Sequence, residues 1–151
     1  MRKAHAVDTN LLVLLVVGRT DPEFIERHRR LSEYKTRHYR ILVDFLAKGG
    51  GIVCTPHILT ETSNLLRQVK DPERSRIMAT FRKFIEGAVE RHRPSRDLSV
   101  HPDFPVLGLT DVAILDLDPT EHVIVTVDFD LDGAARRAGF EVCNPTSAFH
   151  E

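Results

Sequence analysis

The chain has 151 residues, 42% of them hydrophobic and 28% charged, with a net charge of −1. That length favours one domain over residues 1–151 and buries about 68–70% of the unfolded surface, so the core needs no staples. Cys54 and Cys143 stand alone in sequence, which excludes a CxxC zinc site and a disulfide framework and points to a reducing cytoplasm.

Arg2-Lys3 and the apolar run Leu11 to Val17 together imitate a secretory leader. Asp8 and Asn10 interrupt it, and the run falls far short of the ~20 residues that span a bilayer. The expectation is a soluble, cytoplasmic protein with no membrane partner.

In chain order, residues 4–7 read as a short buried strand and Thr9 to Val17 as a helix closed by Gly18. Asp21-Pro22 supplies a cap and a first-turn proline for a second helix to about Arg30. Lys35 to Ala47 carries Tyr39, Leu42, Val43 and Leu46 at helical spacing. Lys48 and three glycines end that helix, and Ile52-Val53-Cys54 forms the next strand. Thr55-Pro56 caps a helix running to about Val69. Asp71-Pro72 repeats the signal before Ile77, Met78, Phe81, Phe84 and Ile85. His92 to Pro105 reads as loop with at most a short strand. Thr110 caps a helix ending before Pro119, Val123 to Val127 is the strongest strand signal, Asp128 to Gly139 holds a turn and a helix, and Phe140 to Cys143 is a last strand. Strands alternating with helices imply an α/β fold, with parallel pairing and right-handed crossovers.

Four carboxylates stand where apolar runs meet helix signals: Asp8, Glu61, Asp111 and Asp128. Taken singly, each aspartate is equally well read as a helix cap, and a helical glutamate is usually solvated. Two of them end strands, and in an open parallel sheet that edge is where ligands bind. If the other two arrive there from helices, the four make an all-oxygen pocket for a hard divalent cation.

The order and surroundings of these acids resemble a PIN domain. The matching pieces are Val7-Asp8-Thr9-Asn10-Leu11-Leu12, residues 56–66 around Glu61, Leu109-Thr110-Asp111-Val112-Ala113-Ile114-Leu115, and Val125-Thr126-Val127-Asp128-Phe129-Asp130-Leu131. The resemblance implies a three-layer α/β/α sandwich with a central, mostly parallel sheet. It further implies a metal-dependent endoribonuclease in which Asp8, Glu61, Asp111 and Asp128 bind one or two Mg²⁺ or Mn²⁺ ions. Carried over by position, Thr126 orients Asp128, Asn10 supports Asp8, and Asp130 is a further ligand or outer acid. The metal-bound water is then the nucleophile, and the expected substrate is single-stranded or structured RNA. Small stand-alone members are often toxins restrained by an antitoxin, and PIN domains often form homodimers, so both partners are open to this chain. The long basic stretch from Arg19 to Lys48 departs from the most compact toxins.

Clusters of basic residues, among them Arg29, Arg30, Arg37 and Arg40, can track a phosphate backbone; each cluster reads equally well as a solvated helix face. Two rival functions stand beside the ribonuclease: an inactive nucleic-acid-binding or assembly module, and a nuclease acting on DNA, since no residue visibly reads the 2′-hydroxyl. Asp128 to Gly133 copies half of an EF-hand loop, but Gly139 occupies the place of its bidentate glutamate. Gly49 to Gly51 lacks the lysine and hydroxyl of a P-loop, and Asp8-Thr9-Asn10 lacks the second aspartate of a haloacid-dehalogenase-type phosphatase. His57 is the one histidine placed as a candidate substrate contact, and Cys54 reads as a small buried hydrophobe.

Overall fold

Helix α1 (Thr9–Thr20) is apolar on every side, and Leu11 to Val17 are each at most 1% exposed. A helix with no polar face has to lie in the core, and in the computed structural model, which describes residues 2–145, the rest of the chain is arranged around it. It leaves the end of strand β1 (Ala4–Val7) and packs on α2 (Thr36–Leu46), α3 (Pro56–Leu66), α4 (Glu73–Gly87) and the 3₁₀ segment Pro22–Arg27. Among the described residues, no helix is long and apolar enough to cross a membrane.

The other strands are β2 (Ile52–Cys54), β3 (Val89–Glu90), β4 (His122–Val125) and β5 (Glu141–Cys143). They form one wholly parallel sheet in the order β3-β2-β1-β4-β5. The core strand β1 pairs Ala6 with Val53 on one side and with Ile124 on the other. After β1 the chain first builds outward through β2 and β3, then returns to build the other half through β4 and β5. A second group of helices, α5 (Ser95–Leu98), α6 (Phe104–Leu107), α7 (Leu109–Leu115) and α8 (Phe129–Arg137), packs around α7. The two helix groups and the sheet between them make a three-layer α/β/α sandwich.

The boundaries differ from the sequence reading at informative places. Helix α1 runs two residues past Gly18 to Thr20. Gly18 lies directly beneath the Tyr39 ring, which a Cβ at position 18 would strike; the glycine is there for close packing of α2 on α1. The helix expected from Pro22 to Arg30 is two 3₁₀ pieces, Pro22–Arg27 and Arg29–Leu31, split at His28. His28 is buried; its Nδ1 accepts from the Arg30 N–H, and its Nε2 lies 3.2 Å from the Leu66 carbonyl oxygen. Helix α3 ends at Leu66, short of Val69. The expected loop from His92 to Pro105 contains α5 and the start of α6, and the two-residue strand β3 precedes it. Thr110 lies inside α7, whose cap is Gly108 at φ +82°.

Replacing Gly18 by alanine tests the packing account. Alanine favours a helix by about 1 kcal/mol over glycine, yet overpacking against Tyr39 costs about 1–3 kcal/mol. The expected result in urea unfolding is a net loss for Gly18→Ala that a second change, Tyr39→Ala, largely removes.

Candidate metal and phosphodiester site

The strand order reverses direction between β1 and β4, and in open α/β sheets the crevice at such a point, beyond the carboxyl ends of the strands, is the ligand site. Asp8 follows β1 directly and Asp128 follows β4 by three residues. Both also cap the helices that leave those strands. One Asp8 oxygen accepts from the Thr9 N–H at 2.8 Å, and Asp128 accepts from the Leu131 N–H at 2.8 Å. The capping and functional readings are therefore not alternatives here, because a carboxylate has lone pairs left after one cap bond.

Thr126 joins the two acids. Its hydroxyl donates to the second Asp8 oxygen at 2.7 Å and accepts from the Asp128 N–H at 3.0 Å. The sequence reading assigned Thr126 to orienting Asp128; its hydroxyl orients the Asp8 carboxylate and holds only the backbone of Asp128. The Asp8 N–H donates to the Val125 carbonyl, so neighbouring strand ends are tied across the crevice. Asn10, expected to support Asp8, is exposed and makes no hydrogen bond to it.

Glu61 stands on α3 and is exposed. It accepts from the Thr110 hydroxyl at 2.8 Å, which links α3 to α7 beside Asp111. Asp111 is half-buried in the first turn of α7, and Asp130 is exposed in the first turn of α8. Burial first, then the charges of Asp8, Asp128, Glu61 and Asp130, push the Asp111 carboxyl up to about 7. Asp8 is also raised, by burial above all and by Asp128 and Glu61, against the lowering effect of its bonds from Thr126 and Thr9. Four other acids thus bear on Asp111, and two of them, Asp128 and Glu61, bear on Asp8 as well.

Mutual repulsion is a looser condition than coordination, for which Mg²⁺ requires oxygens at about 2.0–2.1 Å. Among the described residues, no three His, Cys, Asp or Glu side chains form a ready-made metal cage. The donor chemistry nonetheless suits a hard cation: carboxylate oxygens only, on acids whose mutual charges and, for Asp8 and Asp111, burial oppose ionisation until a cation offsets them. Asp8, Asp111 and Asp128 with Glu61 are the residues that could hold it, and Asp130 lies within their field.

Two hollows flank the acids. One, of about 460 Å³, lies between α3 and α7 and is lined by Glu61, His57, Thr60, Asn64 and Thr110. His57, singled out in the sequence, lines this hollow; its Nε2 lies 3.2 Å from the Ser95 hydroxyl, and its buried Nδ1 has no partner. The other, of about 230 Å³, lies between α6 and α8 beside Asp130. Of the expected RNA-contacting arginines, Arg29 and Arg30 are exposed on the second 3₁₀ piece, and Arg37 and Arg40 are exposed on α2. Tyr34, between the two pairs, feels the Asp8 charge. Other basic residues are engaged structurally: Arg27 pairs with Glu73, Arg93 with Asp116 and Arg136 with Asp132. The EF-hand-like stretch is helix from Phe129 onward, not a calcium loop.

Sequence reasoning missed the Thr110 bond to Glu61, having given Thr110 the cap position, and missed Tyr34 and Phe129. A hydroxyl beside each of two acids, Thr110-Asp111 and Thr126 near Asp128, was the available signal. Comparison of the chain with protein-family models, with curated proteins and with solved structures returns no match.

Asp111 supplies a pH test. The unfolded chain releases this proton near pH 4 and the folded chain near pH 7, so the fold binds more protons in between and loses stability as pH rises through that window. Asp111→Asn is expected to stabilise the metal-free protein by on the order of 1–2 kcal/mol at pH 8, after discounting for solvent screening of a half-buried group. The gap between variant and wild type, read by thermal unfolding, should close towards pH 5.

Proposed function

We propose that this protein is a metal-dependent nuclease of the PIN type that hydrolyses phosphodiester bonds in RNA, with Asp8, Glu61, Asp111 and Asp128 as its metal ligands. The observation that carries the reading is the convergence of Asp8, Asp128, Glu61 and Asp130 on the Asp111 carboxyl beside the point where the strand order reverses. Such a concentration of like charge opposes folding unless a cation offsets it, and natural folds retain unfavourable electrostatics chiefly at functional sites.

Within this reading the chain's own residues divide the work. Asp8 is held in one orientation by the Thr126 hydroxyl and the Thr9 N–H. Glu61 is held by Thr110. Asp111, half-buried in the first turn of α7 with the other acids bearing on it, would serve with them as a ligand of the cation. A bound divalent cation supplies the lowered water pKa and the charge that meets the phosphate and leaving oxygen. Arg29, Arg30, Arg37 and Arg40, exposed on either side of Tyr34, are proposed to carry flanking phosphates. An antitoxin or a second copy of the chain are further partners within this reading.

The open spacing of the acids favours one second reading, a nucleic-acid-binding module that does not cut. DNA as the substrate is a third outcome of the same experiment.

Labelled single-stranded RNA and DNA pools are incubated with Mg²⁺ or Mn²⁺. RNA cleavage is expected, with Asp8→Asn and Asp128→Asn each slowing it roughly a hundredfold or more, and Thr126→Val slowing it within the 10–100-fold range of outer-shell partners. Either metal in excess should raise the melting temperature of the wild type by a few degrees, and that of Asp8→Asn by less. A folded wild type that binds Mn²⁺ yet cuts neither pool overturns the nuclease.

A further inference from the structure

Phe129 directly follows Asp128, and at 88% exposure it is the most exposed large apolar side chain among the described residues. A bare phenyl ring leaves a large apolar area in water, and no described residue covers it. It begins α8, so Gly133 and Arg137 follow at four-residue intervals on the same stripe of the helix. These residues line the hollow between α6 and α8, with Val106 and Leu107 opposite and Asp130 at its edge. Gly133 keeps the middle of the stripe flat: a Cβ there would come 3.2 Å from a guanidinium nitrogen of Arg137, whose head therefore lies along the helix. Arg137 makes no ion pair among the described residues.

We propose that Phe129, Gly133 and Arg137 form a nucleobase slot, in which a base adjoining the scissile phosphate stacks on the Phe129 ring while Arg137 caps the far end. The inference rests on the nuclease reading, since the carboxylates are taken to hold the phosphate. Stacking on an aromatic face tolerates any base, and a guanidinium adds cation–π or edge contacts. A base held in a duplex has no free face to offer, so the slot makes single-stranded or unpaired nucleic acid the substrate. A protein partner could also cover Phe129 and Val106. The core of such an interface is depleted of charge, whereas the lining of this patch includes Arg137, which makes no ion pair among the described residues, and two carboxylates, Asp103 and Asp130.

Binding of a labelled single-stranded RNA oligonucleotide is measured by fluorescence anisotropy in Ca²⁺, a hard oxygen-seeking cation, for the wild type, Phe129→Ala, Phe129→Trp and Gly133→Leu, alongside copies of the RNA made abasic at each position in turn. Phe129→Ala and Gly133→Leu should weaken binding by about tenfold or more, with Phe129→Trp close to wild type. One abasic position should weaken wild-type binding by a similar factor and leave Phe129→Ala unaffected, as a double-mutant cycle requires for direct contact. Equal affinity of Phe129→Ala and wild type, or equal sensitivity of both to every abasic position, overturns the slot while leaving the nuclease reading in place. A concentration-dependent dimer that Phe129→Ala abolishes overturns it in favour of a protein interface. Failure of the wild type to bind any RNA or DNA, with Mn²⁺ still bound, removes the nuclease reading and the slot together.

Discussion

Burial of the middle of α1, from Leu11 to Gly18, is the constraint on which the rest of the structure depends. Seven consecutive apolar side chains, Leu11 to Val17, leave no face for water, so the helix must be enclosed by α2, α3 and α4 as well as by the sheet. Helix α1 emerges from β1, itself flanked on both sides by other strands. Asp8 sits at the joint between the innermost strand and the innermost helix. The joint between the best-enclosed strand and helix thus also carries a carboxylate of the crevice, and a site built on regular elements gains precision over one built on loops.

The acids lie on elements of unequal depth. Asp8 and Asp128 are anchored by helix-cap bonds and by the shared Thr126 hydroxyl. Glu61 and Asp111 arrive from the two helix groups, and the Thr110 bond to Glu61 is what fastens one group to the other at the crevice. The charges that converge on Asp111 work against the folded state, and the hydrophobic enclosure of α1 is a compensating term. Stability and the proposed activity therefore draw on opposite electrostatics at the same residues.

The architecture was largely legible because it depends on signals that act locally. Asp8, Thr55 and Asp128 cap helices where the sequence placed them, and β1, β2, β4 and β5 lie within a residue or two of their apolar runs. What was misread depends on distant partners. Gly18 carries the signature of a helix stop and is instead a contact surface for Tyr39, a residue of another helix. Strand β3 has two residues and no pattern of its own; only pairing with β2 makes it a strand. The acids were legible as candidates because each stands at an element boundary. Their supporting hydroxyls were legible only in part: Thr126 stood out, but with Asp128 as its partner, whereas it reaches across strand ends to Asp8, and Thr110, read as a cap, reaches across two helices to Glu61.

The two-residue length of β3 has a consequence for association. A sheet edge is a template for another chain in proportion to its row of unpaired backbone groups, and β3 offers almost none: past Glu90 the Arg91 N–H already turns inward to the Cys54 carbonyl. A wholly parallel sheet with longer outer strands would invite strand addition and fibrillar stacking. At this edge the truncated strand closes that route, so a protein that docks here has to be recognised through side chains rather than by β-augmentation.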